Sequence, residues 1–268
     1  MTAPIFEFDA YSPPQIAERV QGAGVAKARL ALLPLAMLGM LAGAFIGLGS
    51  LYFVVVVSDP NLGFAASRVL GGVAFSLGLL LVVVAGAELF TGNNLLAMAW
   101  ADGRVTTREL LRNWTVVCAA NFAGAVGLAA LVFLSGHAEL NGGAIGRTYL
   151  EIAAAKSSLP FWTAFFRGVL ANVLVCLAIW MTFAGRSVID KFAAIVFPIS
   201  AFVAAGFEHS IANMYLLPLA MMLQAQAGGL PDYGGLVRNL VPVVAGNLVG
   251  GSVMVALVYH VIYRRPPR

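Results

Sequence analysis

Charge is what this chain has least of. Only 10% of its 268 residues are Asp, Glu, Lys or Arg, while 60% are hydrophobic and the mean hydropathy is +0.89. A soluble globular domain carries about 25% charged residues, so that class is excluded and the chain reads as an integral membrane protein. The formal net charge of +4 does not point to nucleic acid, because the basic residues stand singly between apolar segments and form no patch. Cysteine is nearly missing too. Cys118 and Cys176 both sit inside apolar runs, where they serve as small hydrophobes, which leaves no disulfide framework. Zinc spacing, a phosphate loop and a dinucleotide fingerprint are also absent, so no cofactor or metal is expected. The first 21 residues are too polar and acidic for a cleaved signal peptide, and the first apolar run is expected to stay as a span.

What is present is long apolar runs. A bilayer core takes about 20 apolar residues as helix. Residues 30–57, 113–134, 160–183 and 239–263 each supply one such run. Residues 69–101 and 192–231 are overlong, and each is interrupted by a polar patch: Glu88 in the first, Glu208 with His209 in the second. The expected count is six spans. With both ends cytoplasmic, Arg19, Lys27, Arg29, Arg104, Arg108, Arg112, Arg186, Lys191, Arg264, Arg265 and Arg268 lie inside, against Arg68, Arg147, Lys156, Arg167 and Arg238 outside. The positive-inside bias selects that orientation. Residues 1–29, with Ser-Pro-Pro at 12–14, are expected to include a short helix lying at the inner interface.

The two overlong runs carry the same punctuation. Ala85-Gly86-Ala87-Glu88 is followed by Asn93, and Ala205-Gly206-Phe207-Glu208 by Asn213, at an offset of 120. RNWTVVCAANFAG from Arg112 and RNLVPVVAGNLVG from Arg238 also match, at an offset of 126. The chain is therefore expected to be one all-α transmembrane domain over residues 1–268, with one repeat in 30–134 and the other in 160–263. Three spans per half make the halves enter the membrane from opposite sides, an inverted 3+3 repeat with helices two and five broken. The alternative is a duplication that now serves folding only.

At the breaks, Gly86, Gly92 and Gly206 permit non-helical backbone, and Asn93, Asn94, Ser210 and Asn213 can bond the freed backbone groups. Such backbone is tolerated at membrane depth only when buried in protein or lining a cavity. Pro218 is expected to act as a further stop or kink. Glu88 and Glu208 are expected to pin the breaks by accepting from loop amides or from Asn93 and Asn213. His209 is the only histidine within the apolar runs and is expected to act as a donor or proton source to an anion; the alternative is a buried histidine that packs two half-helices. Phe75, Leu79, Leu89, Phe90, Phe202 and Phe207 could be ordinary packing or could form dry slits above and below a polar centre. Gly39, Gly43 and Gly47 form a small-residue ladder that calls for a close helix contact, within or between subunits.

FSLGLLLVVVAGAELFTG (75–92), GRSVIDK (185–191), GFEHSIANM (206–214) and GNLVGG (246–251) together resemble the formate/nitrite transporter family, over nearly the whole chain. The resemblance implies an aquaporin-like fold and a homopentamer in the bacterial inner membrane, with one path per protomer for formate, nitrite or hydrosulfide, in some members moving with a proton. It places His209 with Thr91 at a central chamber. Leu79, Leu89, Phe90, Val175, Phe202 and Phe207 match the constrictions. Lys156 and Asn172 match positions that attract or guide the anion, and Glu208 and Asn213 match those that hold the histidine and its loop. After Thr91 this chain has Gly92-Asn93-Asn94, where formate channels commonly have Ser-Thr and nitrite channels Gly-His, so both substrates stay open. A neutral-solute pore is the more distant alternative, since no paired Asn-Pro-Ala occurs; a membrane enzyme lacks any nucleophile or metal cluster beside His209.

Overall fold

A computed structural model describes residues 10–263. Residues 1–9 of the amino-terminal segment, and Arg264, Arg265 and Arg268 of the orientation argument, lie outside the described residues. The first half contains α1 (Pro13–Ala28), α2 (Leu32–Val57), α3 (Phe64–Leu80), the short α4 (Phe90–Asn93) and α5 (Leu96–Ala101), and α6 (Thr107–Leu134). The second contains α7 (Ala144–Ser157), α8 (Phe161–Thr182), α9 (Val188–Ala204), α10 (Ser210–Gln226), α11 (Tyr233–Leu248) and α12 (Val258–Tyr263). A π-helical segment, Leu81–Gly86, prolongs α3, and another, Val249–Leu257, joins α11 to α12.

Among the described residues, five helical stretches are long and apolar enough to cross a membrane: Leu32–Val57, Phe64–Gly86, Thr107–Leu134, Phe161–Thr182 and Tyr233–Tyr263. The run expected to form span five is divided. α9 and α10 have 17 residues each and are separated by residues 205–209, so neither alone reaches the length of about 20 that a bilayer core requires. The third long helix begins six residues before the apolar run at 113. Thr106 caps it, accepting from the Glu109 N–H at 3.2 Å while its own N–H donates to Glu109 Oε2 at 2.8 Å. Pro218 does not stop its helix: α10 runs through it to Gln226. That helix is buried on all sides from Ser210 to Ala220, and surrounding helices hold it through the missing donor.

Glycine sets the closest approaches. A Cβ on Gly43 would strike the Asn121 carbonyl oxygen, and one on Gly124 the Met40 carbonyl oxygen, so α2 and α6 touch backbone to backbone. Gly39 faces Ala120 and Gly47 faces Leu128 and Tyr215, which places the whole ladder inside one chain. The α8–α11 pair is built the same way, with Gly246 against the Phe165 carbonyl and Gly250 against that of Val169. α1 starts at Ser12, whose N–H donates to Gln15 Oε1 at 2.8 Å, and its face of Ile16, Ala17, Val20 and Gly24 packs against α5.

Candidate functional site

Both overlong runs leave helical geometry after a glycine with positive φ, Gly86 at 90° and Gly206 at 74°. Four residues later the chain resumes as helix, at Phe90 in the first run and Ser210 in the second. The Glu88 and Glu208 N–H groups in between donate to the Leu38 and Arg167 carbonyls, and the carbonyl of each glutamate and the first N–H of the helix that follows are satisfied by one asparagine apiece. Asn121 Nδ2 donates to the Gly39 carbonyl at 2.7 Å and the Glu88 carbonyl at 2.9 Å, and its Oδ1 accepts from the Phe90 N–H at 2.9 Å. Asn247 does the same for the second run, donating to Gly168 at 2.8 Å and Glu208 at 3.0 Å and accepting from the Ser210 N–H at 2.9 Å. A buried amide with every group partnered holds its surroundings in one arrangement.

The carboxylates repeat the pattern. Glu88, 6% exposed, accepts from Asn93 Nδ2 at 2.7 Å and from Lys27 Nζ at 2.8 Å. Glu208, 3% exposed, accepts from Asn213 Nδ2 at 2.7 Å and from Lys156 Nζ at 2.9 Å. Behind each stands another asparagine. Asn113 accepts from Asn93 and donates to the Lys27 carbonyl; Asn239 accepts from Asn213 and donates to the Lys156 carbonyl. Each glutamate is thus an ion-paired strut rather than a free charge.

A cavity adjoins each strut. One of about 330 Å³ is bounded by Lys27, Glu88, Leu89, Gly92 and Asn93. One of about 240 Å³ is bounded by Lys156, Glu208, His209, Phe75, Phe202 and Phe207, among others. Between the two interrupted runs, Thr91 Oγ1 lies 3.0 Å from His209 Nε2. His209 Nδ1 accepts from the Ala212 N–H at 3.2 Å, making the ring the cap of α10. An Nδ1 that accepts carries no proton, so the neutral ring holds its proton on Nε2 and donates it to Thr91 Oγ1; the Thr91 hydroxyl hydrogen is then left for a third group. Phe202 stacks on the His209 ring at 5.8 Å, and Phe75 meets Phe202 edge-on at 5.6 Å. Phe75, Leu79, Leu89, Phe90, Val175 and Phe202 are buried in one apolar cluster, with Phe207 packed against it.

Asn172 is placed differently from the other expected site residues. Its buried Nδ2 donates to the Thr91 carbonyl, Asn94 Oδ1 and the Asn247 carbonyl, so it ties the chain after the first interruption to α11. Sequence reasoning passed over Lys27, Asn113, Asn121, Asn239 and Asn247 as parts of the site. The signal was at hand for the asparagines, which are the paired N of the R-N-x7-N repeat, and Lys27 stands three residues before Leu30 as Lys156 stands three before Leu159.

Known proteins resemble this chain in sequence and fold. The family described as "Formate/nitrite transporter" matches residues 14–261. The "Formate channel FocA" of Escherichia coli (strain K12) is 38% identical over 274 residues, covering 96% of this chain and 96% of its own. A solved "Pentameric formate channel with formate bound" is 37% identical, covers 88% of this chain and 98% of its own, and superposes with a TM-score of 0.80. The aquaglyceroporin from Plasmodium falciparum, 14% identical with a TM-score of 0.57 over 86% of this chain and 96% of its own, shares the fold alone. The chain is an all-α, multi-pass protein of the bacterial inner membrane with an aquaporin-like fold, a channel or transporter and not an enzyme, and it belongs to the formate/nitrite transporter family.

Proposed function

We propose that the chain assembles as a homopentamer in which each protomer passes small monovalent anions, formate first among them, along a path from the Lys27 cavity through the Thr91–His209 pair to the Lys156 cavity. The observation that carries this reading is the Thr91–His209 hydrogen bond, set between two cavities that each contain a lysine. In the proposed topology the chain forms six spans with both termini cytoplasmic, an inverted 3+3 repeat over 30–134 and 160–263. Spans two and five are broken where the struts stand, at Glu88 in one and Glu208 in the other; Gly92 and Asn93, expected in the first break, lie in the helical turn that follows it, as Asn213 lies in α10. The matching bonds around Asn121 and Asn247 support that symmetry. The exposed apolar side chains of α2, α3 and α8 are suited to lipid or to a neighbouring protomer.

An anion entering an apolar slit loses water at a cost of many kcal/mol unless donors replace it. Here Lys27 or Lys156 draws it into a cavity, Phe75, Leu79, Leu89, Phe90, Val175, Phe202 and Phe207 restrict the way, and the Thr91 hydroxyl donates to it at the centre. Asn172 acts by fixing the Thr91 backbone. His209 polarises the hydroxyl from behind. A second reading adds proton co-movement. For that, Nδ1 must release the Ala212 N–H and take a proton, because only the imidazolium can protonate the anion and return to a neutral ring. Formate suits this route, its conjugate acid lying near the carboxyl range of about 4. Nitrite and hydrosulfide are the alternative substrates. Stopped-flow uptake of formate, nitrite and hydrosulfide into proteoliposomes at fixed pH tests the assignment: saturable formate flux is expected, and its absence overturns the choice of formate.

A further inference from the structure

The bonds at the two interruptions match, but the charges around the two cavities do not. Among the described residues, the cavity beside Glu88 is bounded by one cation, Lys27, and one anion, Glu88, which are paired with each other; Arg19, Arg186 and Lys191 bound a separate cavity that shares Val83, Thr182 and Phe183 with it. The cavity beside Glu208 is bounded by three cations, Arg68, Lys156 and Arg167, against Glu208 alone. Of the three, only Lys156 pairs with Glu208, at 2.9 Å. Arg68, at the start of α3, crosses to the end of α9, where its Nε donates to the Ala204 carbonyl at 3.1 Å and its Nη2 to the Val203 carbonyl at 2.6 Å. Those neutral acceptors hold the guanidinium in place and leave its charge uncancelled. Arg167, on α8, makes no side-chain hydrogen bond or ion pair among the described residues, and it acts on Arg68 as a like charge. Lys156 Nζ makes one hydrogen bond within the protein where Lys27 Nζ makes two, to Glu88 and Asn93.

Two guanidiniums facing one cavity repel each other, and a monoanion between them removes the repulsion while gaining planar donors that fit two terminal oxygens. We propose that the cavity beside Glu208 is a holding site for a small oxyanion, formed by Arg167 and Arg68 with Lys156, and that it makes the two cavities beside the glutamates unequal. Access from the Glu208 side saturates at lower anion concentration than access from the Glu88 side. The inference rests on the anion path proposed above. Arg68 fixes the path in place through the end of α9, so Arg167 is the residue that can be changed without releasing a backbone contact.

The test uses full-length protein in proteoliposomes, with orientation scored by proteolysis of a terminal tag, and measures initial formate flux against concentration from each side. Half-saturation is expected to be about three- to tenfold lower from the Glu208 side, the effect of one unit charge several ångströms from a monoanion in a partly wet cavity. Arg167→Gln should remove most of that difference, while Arg167→Lys should keep most of it. Equal half-saturation from both sides in the wild type, or an equal change on both sides in Arg167→Gln, overturns the inference while leaving the path intact. A formate-dependent rise in thermal stability of the solubilised protein, reduced in Arg167→Gln, reads the holding site without flux. Wild type that shows this rise but no saturable flux overturns the path and leaves the site; wild type without the rise overturns the site.

Discussion

His209 Nε2 and Thr91 Oγ1 lie 3.0 Å apart across 118 residues of sequence, and the other ring nitrogen of His209 accepts from its own helix. The two bonds give each partner a direction: the ring donates to the hydroxyl, and the hydroxyl donates onward. Replacing Thr91 by Val keeps the shape and removes that onward donor. A hydrogen bond to a charged group contributes about 1.5–3 kcal/mol, so anion flux should fall about ten- to a hundredfold. Stopped-flow uptake on protein that still runs as the wild-type oligomer in size-exclusion chromatography checks it.

His209→Asn separates capping from titration. Asn is a good helix cap and its Oδ1 can accept from the Ala212 N–H, so α10 should stay capped. Asn cannot titrate. Anion conductance should therefore persist in part, while pH-dependent proton co-movement disappears. Simultaneous recording of anion flux and intravesicular pH decides the matter, and undiminished proton movement in the mutant would remove His209 from any relay.

Asn121→Ala and Asn247→Ala should damage the protein to a similar extent. Each removes one amide and leaves one buried N–H and one buried carbonyl at the interruption unpartnered, while the Gly39 and Gly168 carbonyls stay within their helices. At about 1–3 kcal/mol per abandoned group, the loss is at least about 2 kcal/mol in either case. Thermal unfolding in detergent should show comparable drops, and a large drop in one variant with none in the other would contradict the matched geometry.

Lys156→Gln does more than weaken attraction. It leaves Glu208 buried without its cation, and breaking a buried pair costs about 3–5 kcal/mol. The single variant should lose stability, and Lys156→Gln combined with Glu208→Gln should recover much of it. In the folded double variant, flux should be reduced more at low anion concentration than at saturation. Flux reduced equally at both concentrations would argue against a role for Lys156 in drawing the anion.

Glycine substitutions along α2 and α6 should divide sharply. Gly43→Val places a side chain into the Asn121 backbone and should prevent assembly of the pair, whereas Gly127 has nothing within 4 Å of its missing Cβ. Gly127→Ala should be neutral or stabilise by up to about 1 kcal/mol through helix propensity. Expression and thermal stability of the two variants are the readout.

Much of the architecture was legible from the residues. Apolar length and sparse charge are local properties that the bilayer reads directly, so the long helices and the two interruptions could be placed from the chain alone. The punctuation AGxE with a following asparagine marked both interruptions, because only glycine accepts the positive φ found at Gly86 and Gly206. Of the stop or kink expected at Pro218, the stop does not occur, since a local helix-breaking rule gives way when neighbouring helices enclose the segment. Partners across the molecule were another matter. That Glu88 takes its cation from Lys27 of α1 and Glu208 from Lys156 of α7, that Asn121 and Asn247 satisfy backbone opened far away in sequence, and that Arg68 and Arg167 face one cavity all depend on which helices pack together. Spacing along one helix fixes the face on which a side chain lies. Only the packing of helices against each other, set by the glycine contacts of α2 with α6 and α8 with α11, decides what that face meets, because a hydrogen bond requires its two atoms within about 3 Å and no local pattern brings residues 52 to 118 positions apart to that distance.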